Sequence, residues 1–148
     1  MQCTVIGIFV PNYSRKISRP LFSSRVAAGF PSPAENYIEG RLDLNNVLIR
    51  HQLATFYIRV IGDSMEPLIY SGELLVVDRM VEPANRDIVV ARLGDDLCVK
   101  RLRVLPDRSV YLFSDNLNYK PIPITDETDF EIWGTVLHSI KSFQSTKR

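Results

Sequence analysis

Apolar and polar residues alternate along most of the chain after residue 55, as they do in β-strands that bury one face. Turn-forming pairs such as Ser71-Gly72 and Gly94-Asp95 separate the alternating runs. Short runs at this spacing favour a compact barrel or sandwich of mostly antiparallel strands, so we predict a mostly β fold. The predicted strands cover residues 56–61, 73–78, 87–93, 97–104, 109–114 and 131–142.

The beginning of the chain departs from this pattern. Proline and serine recur through residues 1–34, which makes most of that segment a poor candidate for helix or strand and predicts an extended, mobile N-terminal arm. One exception is the apolar run Val5–Val10, which can add to a sheet as a strand. Farther along, Asn45 or Asn46 can cap a short helix over residues 47–53.

Charge also changes at the end of this arm. Residues 1–34 contain four of the 18 basic side chains and none of the 17 acidic ones. The whole chain, with 148 residues and a net charge of +1, has the size of one globular domain and no bulk attraction for DNA or lipid. No apolar run reaches the roughly 18 residues of a membrane-spanning helix. We therefore expect a soluble, cytoplasmic protein.

Ser64 is a candidate nucleophile, because it follows the first strand predicted after residue 55 and has a glycine two positions before it. A serine at such a junction can expose its hydroxyl and direct backbone N–H groups at a developing oxyanion. The same serine can instead cap a helical turn that contains Pro67, and taken alone that interpretation is favoured. The segment is not the Gly-x-Ser-x-Gly motif of α/β-hydrolases, since Glu66 occupies the second glycine position.

Lys100 is a candidate general base in the predicted strand 97–104. Alternation places it on one face with Cys98 and Leu102, while Arg101 and Arg103 mark the other face. Burial among apolar neighbours lowers the pKa of a lysine, which can make its neutral amine a base near neutral pH. The alternative is a snorkelling lysine whose ammonium reaches water.

The histidines and cysteines are weaker candidates for a catalytic or metal-binding site. His51 and His138 lie where neither suggests a general base, so Ser64 with Lys100 is the most plausible catalytic pair. The two histidines do not make a familiar zinc site by themselves, and the two cysteines do not form a Cys-x-x-Cys pair. We expect neither a metal nor a cofactor.

A further candidate lies where the arm joins the body, at Ala28-Gly29-Phe30-Pro31-Ser32-Pro33. Glycine and proline clusters of this kind usually form flexible linkers. A stretch of small residues can also enter a protease cleft and present one carbonyl there, and glycine leaves room for close approach. The sequence at this point is compatible with either a linker or a scissile bond.

Together these segments resemble the LexA/UmuD family of self-cleaving Ser–Lys proteins, and its UmuD branch most closely. The resemblance covers roughly residues 25–142, and the ordered set of cleavage dipeptide, serine and lysine is its most specific part. The matching segments are residues 28–34, Gly62-Asp63-Ser64-Met65-Glu66-Pro67, Gly72-Glu73-Leu74, residues 87–91 and Val99-Lys100-Arg101-Leu102.

The resemblance implies a role for each of these residues. Ser64 would be the nucleophile and Lys100 the general base, while the backbone N–H groups of Ser64 and Met65 are candidates to hold the oxyanion. The bond cut would be Ala28–Gly29. The implied organisation is an arm over residues 1–28 that self-cleavage removes, followed by a β-rich peptidase and dimerisation domain over residues 29–148.

The resemblance also implies partners. Family members form homodimers and cleave when they meet a RecA–single-stranded DNA filament. The processed dimer then joins a UmuC-like Y-family DNA polymerase for translesion synthesis in the SOS response. The expected function is therefore that of an SOS mutagenesis protein.

Two alternatives to this function stay open. One is a cleavage-dead interaction subunit, and the other is a dimerisation domain of the LexA or phage-repressor type that lacks its DNA-binding module. A helix-turn-helix module does not fit the first 28 residues with their prolines and serines, so we expect no direct sequence-specific DNA binding. Nor do we expect a membrane partner.

Overall fold

Branched and aromatic residues at alternate positions form strands throughout the computed structural model, which describes residues 1–22 and 38–144. A short helix, α1 (Leu44–Leu48), and a 3₁₀ turn (Gln52–Ala54) are the other regular elements in those ranges. The strands are β1 (Thr4–Phe9), β2 (Ser18–Phe22), β3 (Ile38–Asp43), β4 (Thr55–Ile61), β5 (Leu74–Asp78), β6 (Ile88–Leu93), β7 (Asp96–Val104), β8 (Val110–Phe113), β9 (Ile122–Ile124) and β10 (Phe130–Ile140).

The chain divides into two units, which are described separately. The larger unit comprises residues 1–11 and the chain from His51 onward. It contains an antiparallel sheet in the order β1-β4-β5-β10-β6-β7-β8-β9. In addition β1 pairs with β7, where Thr4 lies opposite Cys98, and this pairing closes the strands from β1 to β7 into a barrel. The smaller unit, residues 12–50, contains the two-stranded sheet β2-β3 and α1.

Two apolar clusters hold the larger unit together, because alternate residues of a strand project to opposite faces. On β7, Val99 belongs to the first cluster, whereas Cys98 and Leu102 belong to the second. The first cluster consists of Cys3, Ile58, Val60, Met65, Ile69, Leu75, Val77, Val90 and Val99. The second consists of Val89, Ala91, Cys98, Leu102 and Leu112.

The mostly β fold is confirmed. Each of the six predicted strands is present, with ends that differ by at most two residues from the prediction. The apolar run at residues 5–10 forms most of β1, which pairs with β4. In the part of the chain that the structure describes, no helix is long and apolar enough to cross a membrane.

The helix prediction was wrong in its bounds. The helix begins at Leu44 and not at residue 47, because Asp43 caps it by accepting a hydrogen bond from the Asn45 N–H at 3.0 Å. It ends at Leu48, and a separate 3₁₀ turn follows.

Three strands were not predicted, and two of them contain a proline. Pro20 lies in β2 and Pro123 in β9. Each of these strands pairs on one side only in the described sheets, and a proline is tolerated at such an edge because no ladder hydrogen bond is lost there. The strand β2 is paired with β3, the third strand that the sequence did not indicate. The predicted boundary at Ala28 and Gly29 lies outside the described residues.

Candidate active site

Ser64 lies in the turn that follows β4. The chain leaves the strand through Gly62, whose φ of +103° is a conformation that favours glycine. The Ser64 side chain is fully buried, and its Oγ accepts a hydrogen bond from the Cys3 N–H at 2.7 Å. Within the described residues the hydroxyl makes its hydrogen bond to Cys3 and not to an N–H of the turn, so it does not cap the turn. The turn itself is held by the Ile69 N–H, which donates to the Met65 carbonyl at 2.9 Å.

Lys100 lies in the middle of β7, opposite Val89 of β6. Its side chain is only 1% exposed, so it does not snorkel to water. Its Nζ donates to Ser114 Oγ at 2.6 Å and to the side-chain oxygen of Gln2. Within the described ranges no carboxylate forms an ion pair with this amine.

Burial lowers the pKa of Lys100 below its ordinary value of 10.5, and nearby Cys98 and Cys3 oppose this only as thiolates. Burial also raises the pKa of the Cys3 thiol to about 12, so that thiol is neutral around neutral pH and carries no charge to stabilise the ammonium. The surroundings of Lys100 therefore favour the neutral amine, which is the form that can accept a proton.

One loop connects the two candidate catalytic residues. Ser114 follows β8 and binds Lys100, and Asn116 lies two residues later. The Asn116 N–H donates to the Ser64 carbonyl at 3.0 Å, and Asn116 Nδ2 donates to the Asp63 carbonyl at 3.0 Å. The loop thus fixes the Ser64 turn against the strand that carries Lys100.

The first residues of the chain lie at the same place. Cys3 binds Ser64 through its backbone, and the neighbouring Gln2 binds Lys100 through its side chain. In the described structure no hydrogen bond joins Ser64 to Lys100 directly. Each of the two is instead bound to one of two consecutive residues, so the pair flanks this short segment.

The backbone N–H groups of Ser64 and Met65 donate no hydrogen bond within the described part of the chain, whereas the next N–H, that of Glu66, donates to Asp63 at 3.1 Å. Buried amides normally have partners, and a free pair beside a nucleophile is the arrangement that can hold an oxyanion. The Met65 side chain is fully buried and anchors the turn in the first apolar cluster.

Asp63 and Tyr119 lie at the rim of this site. A hydrogen bond from the Tyr119 hydroxyl and one from the amino group of Met1 hold the pKa of the Asp63 carboxyl below its ordinary value. The same carboxyl raises the pKa of Tyr119. The Tyr119 ring centre lies 5.6 Å from the Nζ of Lys100, so its face contributes to the surroundings of the amine.

The two histidines make their contacts elsewhere in the larger unit. His51 Nδ1 lies 2.7 Å from Asp78 Oδ2, and Asp78 is a buried carboxylate that also accepts from the Met80 and Val81 N–H groups. His138 lies on β10 opposite Val76. Neither histidine is hydrogen-bonded to Ser64 among the residues described, so the structure offers no Ser-His pair there.

Four residues of the site were not predicted as its members: Gln2, Cys3, Ser114 and Asn116. Cys3 is one of the two cysteines counted above. Its contact with Ser64 comes from its backbone N–H, a group that every residue except proline has, so the sequence does not indicate it. Gln2 comes to Lys100 through the β1–β7 pairing, which joins distant parts of the sequence. An alignment of homologues could have indicated Ser114, whereas a single polar residue after a strand is no signal by itself.

Known proteins are similar in sequence to this chain over most of its length. The family model described as Peptidase S24-like matches residues 20–137. SamA of Salmonella typhimurium strain LT2 is 42% identical over 128 residues, which are 86% of this chain and 88% of SamA. ImpA of Escherichia coli is 41% identical over 82% of this chain and 83% of its own length. The LexA repressor of Mannheimia succiniciproducens is 37% identical over 80% of this chain and 56% of the repressor.

Proposed function

The chain belongs to the Peptidase S24-like family, and we propose that it is a serine peptidase that cuts its own chain between Ala28 and Gly29. In this proposal Ser64 is the nucleophile and Lys100 is the general base. The observation that carries it is a fully buried lysine without an ion-pair partner in the described structure, attached through one loop to the turn of an equally buried serine.

The proposed reaction begins with the neutral amine of Lys100, which takes the proton of the Ser64 hydroxyl. The Oγ forms a bond to the Ala28 carbonyl carbon, and the N–H groups of Ser64 and Met65 stabilise the resulting oxyanion. Collapse of this intermediate breaks the bond to the Gly29 nitrogen, which receives the proton from the Lys100 ammonium. Water then attacks the acyl-enzyme, with Lys100 again as the base, and releases a new carboxyl group at Ala28.

The proposed biological role is in SOS mutagenesis. Likeness to SamA and ImpA over most of both chains supports it, together with the match of the cleavage dipeptide, the serine and the lysine in one order. In this role the chain is a cytoplasmic homodimer whose self-cleavage is stimulated by a RecA–single-stranded DNA filament. The shortened dimer then joins a UmuC-like Y-family polymerase in translesion synthesis.

The test is a mass spectrum of the full chain after incubation with a RecA–single-stranded DNA filament and nucleoside triphosphate. We expect one fragment that ends at Ala28 and one that begins at Gly29. The Ser64→Ala variant should stay whole under the same conditions. Cleavage at an unrelated bond, or cleavage of Ser64→Ala, would contradict the assignment, and an intact wild-type chain that still binds the filament would favour the cleavage-dead interaction subunit.

A further inference from the structure

The groove beside Ser64 holds the first residues of this chain as an extended peptide. The Asp63 N–H donates to the Met1 carbonyl at 3.0 Å, and the Val99 N–H donates to the Cys3 carbonyl at 3.0 Å. The Cys3 N–H donates to Ser64 Oγ at 2.7 Å. The segment is thus bound through its backbone from the Ser64 turn on one side and from β7 on the other, as a peptide is when it adds to a sheet edge.

The groove fits the backbone of this segment closely. A Cβ atom built on Gly62 would lie 2.2 Å from the Gln2 carbonyl oxygen and 2.7 Å from the Met1 carbonyl oxygen. Only a glycine permits this approach, and the positive φ of Gly62 is a second reason for glycine at this position. The Cys3 side chain is fully buried in the first apolar cluster, so it anchors the segment.

The bound segment is in an unreactive pose. The atom that faces the Ser64 hydroxyl is the Cys3 amide nitrogen, and an N–H group is not an electrophile. The Nζ of Lys100 meanwhile donates to Gln2 and Ser114 and has no hydrogen bond to Ser64 in the described structure. Both candidate catalytic residues are therefore hydrogen-bonded to the same short peptide.

We propose that this groove is a binding site for an extended peptide, and that residues 1–4 occupy it as a pseudo-substrate in competition with the segment that contains Ala28 and Gly29. The competition rests on the proposed function, whereas the binding of residues 1–4 does not. Since only molecules with an emptied groove can accept the scissile segment, the cleavage rate scales with the fraction of such molecules.

Two measurements on the full chain test this proposal. The first is the alkylation rate of Cys3, followed by mass spectrometry on the peptide that contains Cys3, because Cys98 is also buried but lies opposite Thr4 and would be uncovered with it. The second is the rate of spontaneous self-cleavage. The variant is Gln2→Ala, which removes one of the two acceptors of Lys100 at an exposed position. The matched control is Gln144→Ala, an exposed glutamine near the other end of the chain.

Loss of one hydrogen bond should raise both rates about two- to tenfold in Gln2→Ala and leave both unchanged in Gln144→Ala. A second pair gives a stronger perturbation of cleavage. Cys3→Pro removes the N–H that binds Ser64, whereas Cys3→Ala loses the same thiol but keeps the N–H. Cleavage should be faster in Cys3→Pro than in Cys3→Ala, with thermal unfolding measured to verify that both are folded.

The outcomes separate the inference from the proposed function. Faster alkylation of Cys3 in Gln2→Ala, with no cleavage in any variant, supports the binding of residues 1–4 and contradicts the peptidase. Faster alkylation with the cleavage rate unchanged in both Gln2→Ala and Cys3→Pro overturns the competition while the peptidase stands. Unchanged alkylation together with unchanged cleavage overturns the inference as a whole.

Discussion

Glu73 and Lys100 are both buried in the larger unit, but the groups around them favour a charged Glu73 and a neutral Lys100. Glu73 accepts a hydrogen bond from Ser139 Oγ at 2.5 Å and forms an ion pair with Lys141. Burial alone would raise the pKa of this carboxyl, but these hydrogen bonds outweigh it and hold the pKa below 4.5. Lys100 has two neutral partners, Gln2 and Ser114, and burial lowers its pKa.

The difference separates an ionised group suited to a structural role from a neutral amine suited to proton transfer. The Glu73 charge is paired, so removal of its partner would leave an uncompensated buried charge, and its lowered pKa keeps the carboxyl ionised near neutral pH. The Lys100 charge is not balanced, so the fold favours the neutral amine at a cost in stability. A buried ionisable group without an opposite charge beside it is therefore the better candidate for a catalytic role.

The largest effect on self-cleavage is expected when Lys100 or Ser64 is replaced. Lys100→Met should slow self-cleavage by at least about 100-fold, since it removes the general base, and Ser64→Ala should abolish it. The Lys100→Met protein should be at least as stable as the wild type, because a buried amine is lost. Lys141→Met is the matched control and should lower the thermal midpoint without slowing cleavage. Normal cleavage by a folded Lys100→Met protein would remove Lys100 from the mechanism.

The pH dependence should be nearly as large. Below the pKa of Lys100 the neutral fraction of the amine, and with it the spontaneous cleavage rate, should rise about tenfold per pH unit and then level off. Because the pKa is lowered by burial, the plateau should begin below 10.5. A histidine base would instead reach its plateau near pH 7. A profile that disappears in His51→Ala or His138→Ala would contradict the Ser–Lys pair.

Removal of the Glu73 charge should lower the stability of the fold and leave the rate of self-cleavage unchanged. Glu73→Gln weakens the contacts with Ser139 and Lys141 and should lower the free energy of unfolding by about 1–3 kcal/mol. Glu131→Gln is the control, because Glu131 is exposed beside Arg92 and should matter by less than about 1 kcal/mol. The folded-state pKa of Glu73 is lowered, so its contribution is present above the ordinary value of 4.5 and is lost as the pH falls below it. Denaturant unfolding near pH 7 and near pH 3 checks both statements.

The smallest effect is expected at Ser114, which we take as a positioning residue for Lys100. Ser114→Ala should slow cleavage about three- to tenfold, because the amine loses the hydroxyl that orients it. Ser114→Thr keeps a hydroxyl and should restore most of the rate. Equal loss in both variants, at unchanged thermal stability, would show that the packing of the serine matters and its hydroxyl does not.

The strands could be predicted because they depend on local alternation, which also placed Lys100 among apolar neighbours but left open whether its amine is buried or snorkels to water. Cys98 and Leu102 are both buried in one cluster, so a lysine between them is surrounded by apolar groups as soon as the strand pairs. Ser64 was harder, because the sequence alone favoured a capping serine. Its hydroxyl binds Cys3 instead, and the ordered family motifs were what gave it priority.

The remaining contacts of the site could not be predicted, for physical reasons. Gln2 and Cys3 reach it only through pairing with β7, and pairing between distant segments depends on the whole sheet. Asn116 acts through its own backbone N–H and its side-chain amide, which bind two carbonyl groups. Any asparagine in a loop has the same groups, so its residue type carries no information about those partners.

The pairing of Thr4 with Cys98 also sets an order of events during synthesis. The ribosome makes β1 first, yet its two neighbours in the barrel, β4 and β7, become available only as residues 55–61 and 96–104 emerge. At about 5–20 residues per second, the first strand waits at least several seconds for the last of its partners. The segment that leads into β1 therefore binds beside Ser64 only after β7, whose Val99 N–H donates to the Cys3 carbonyl, has emerged.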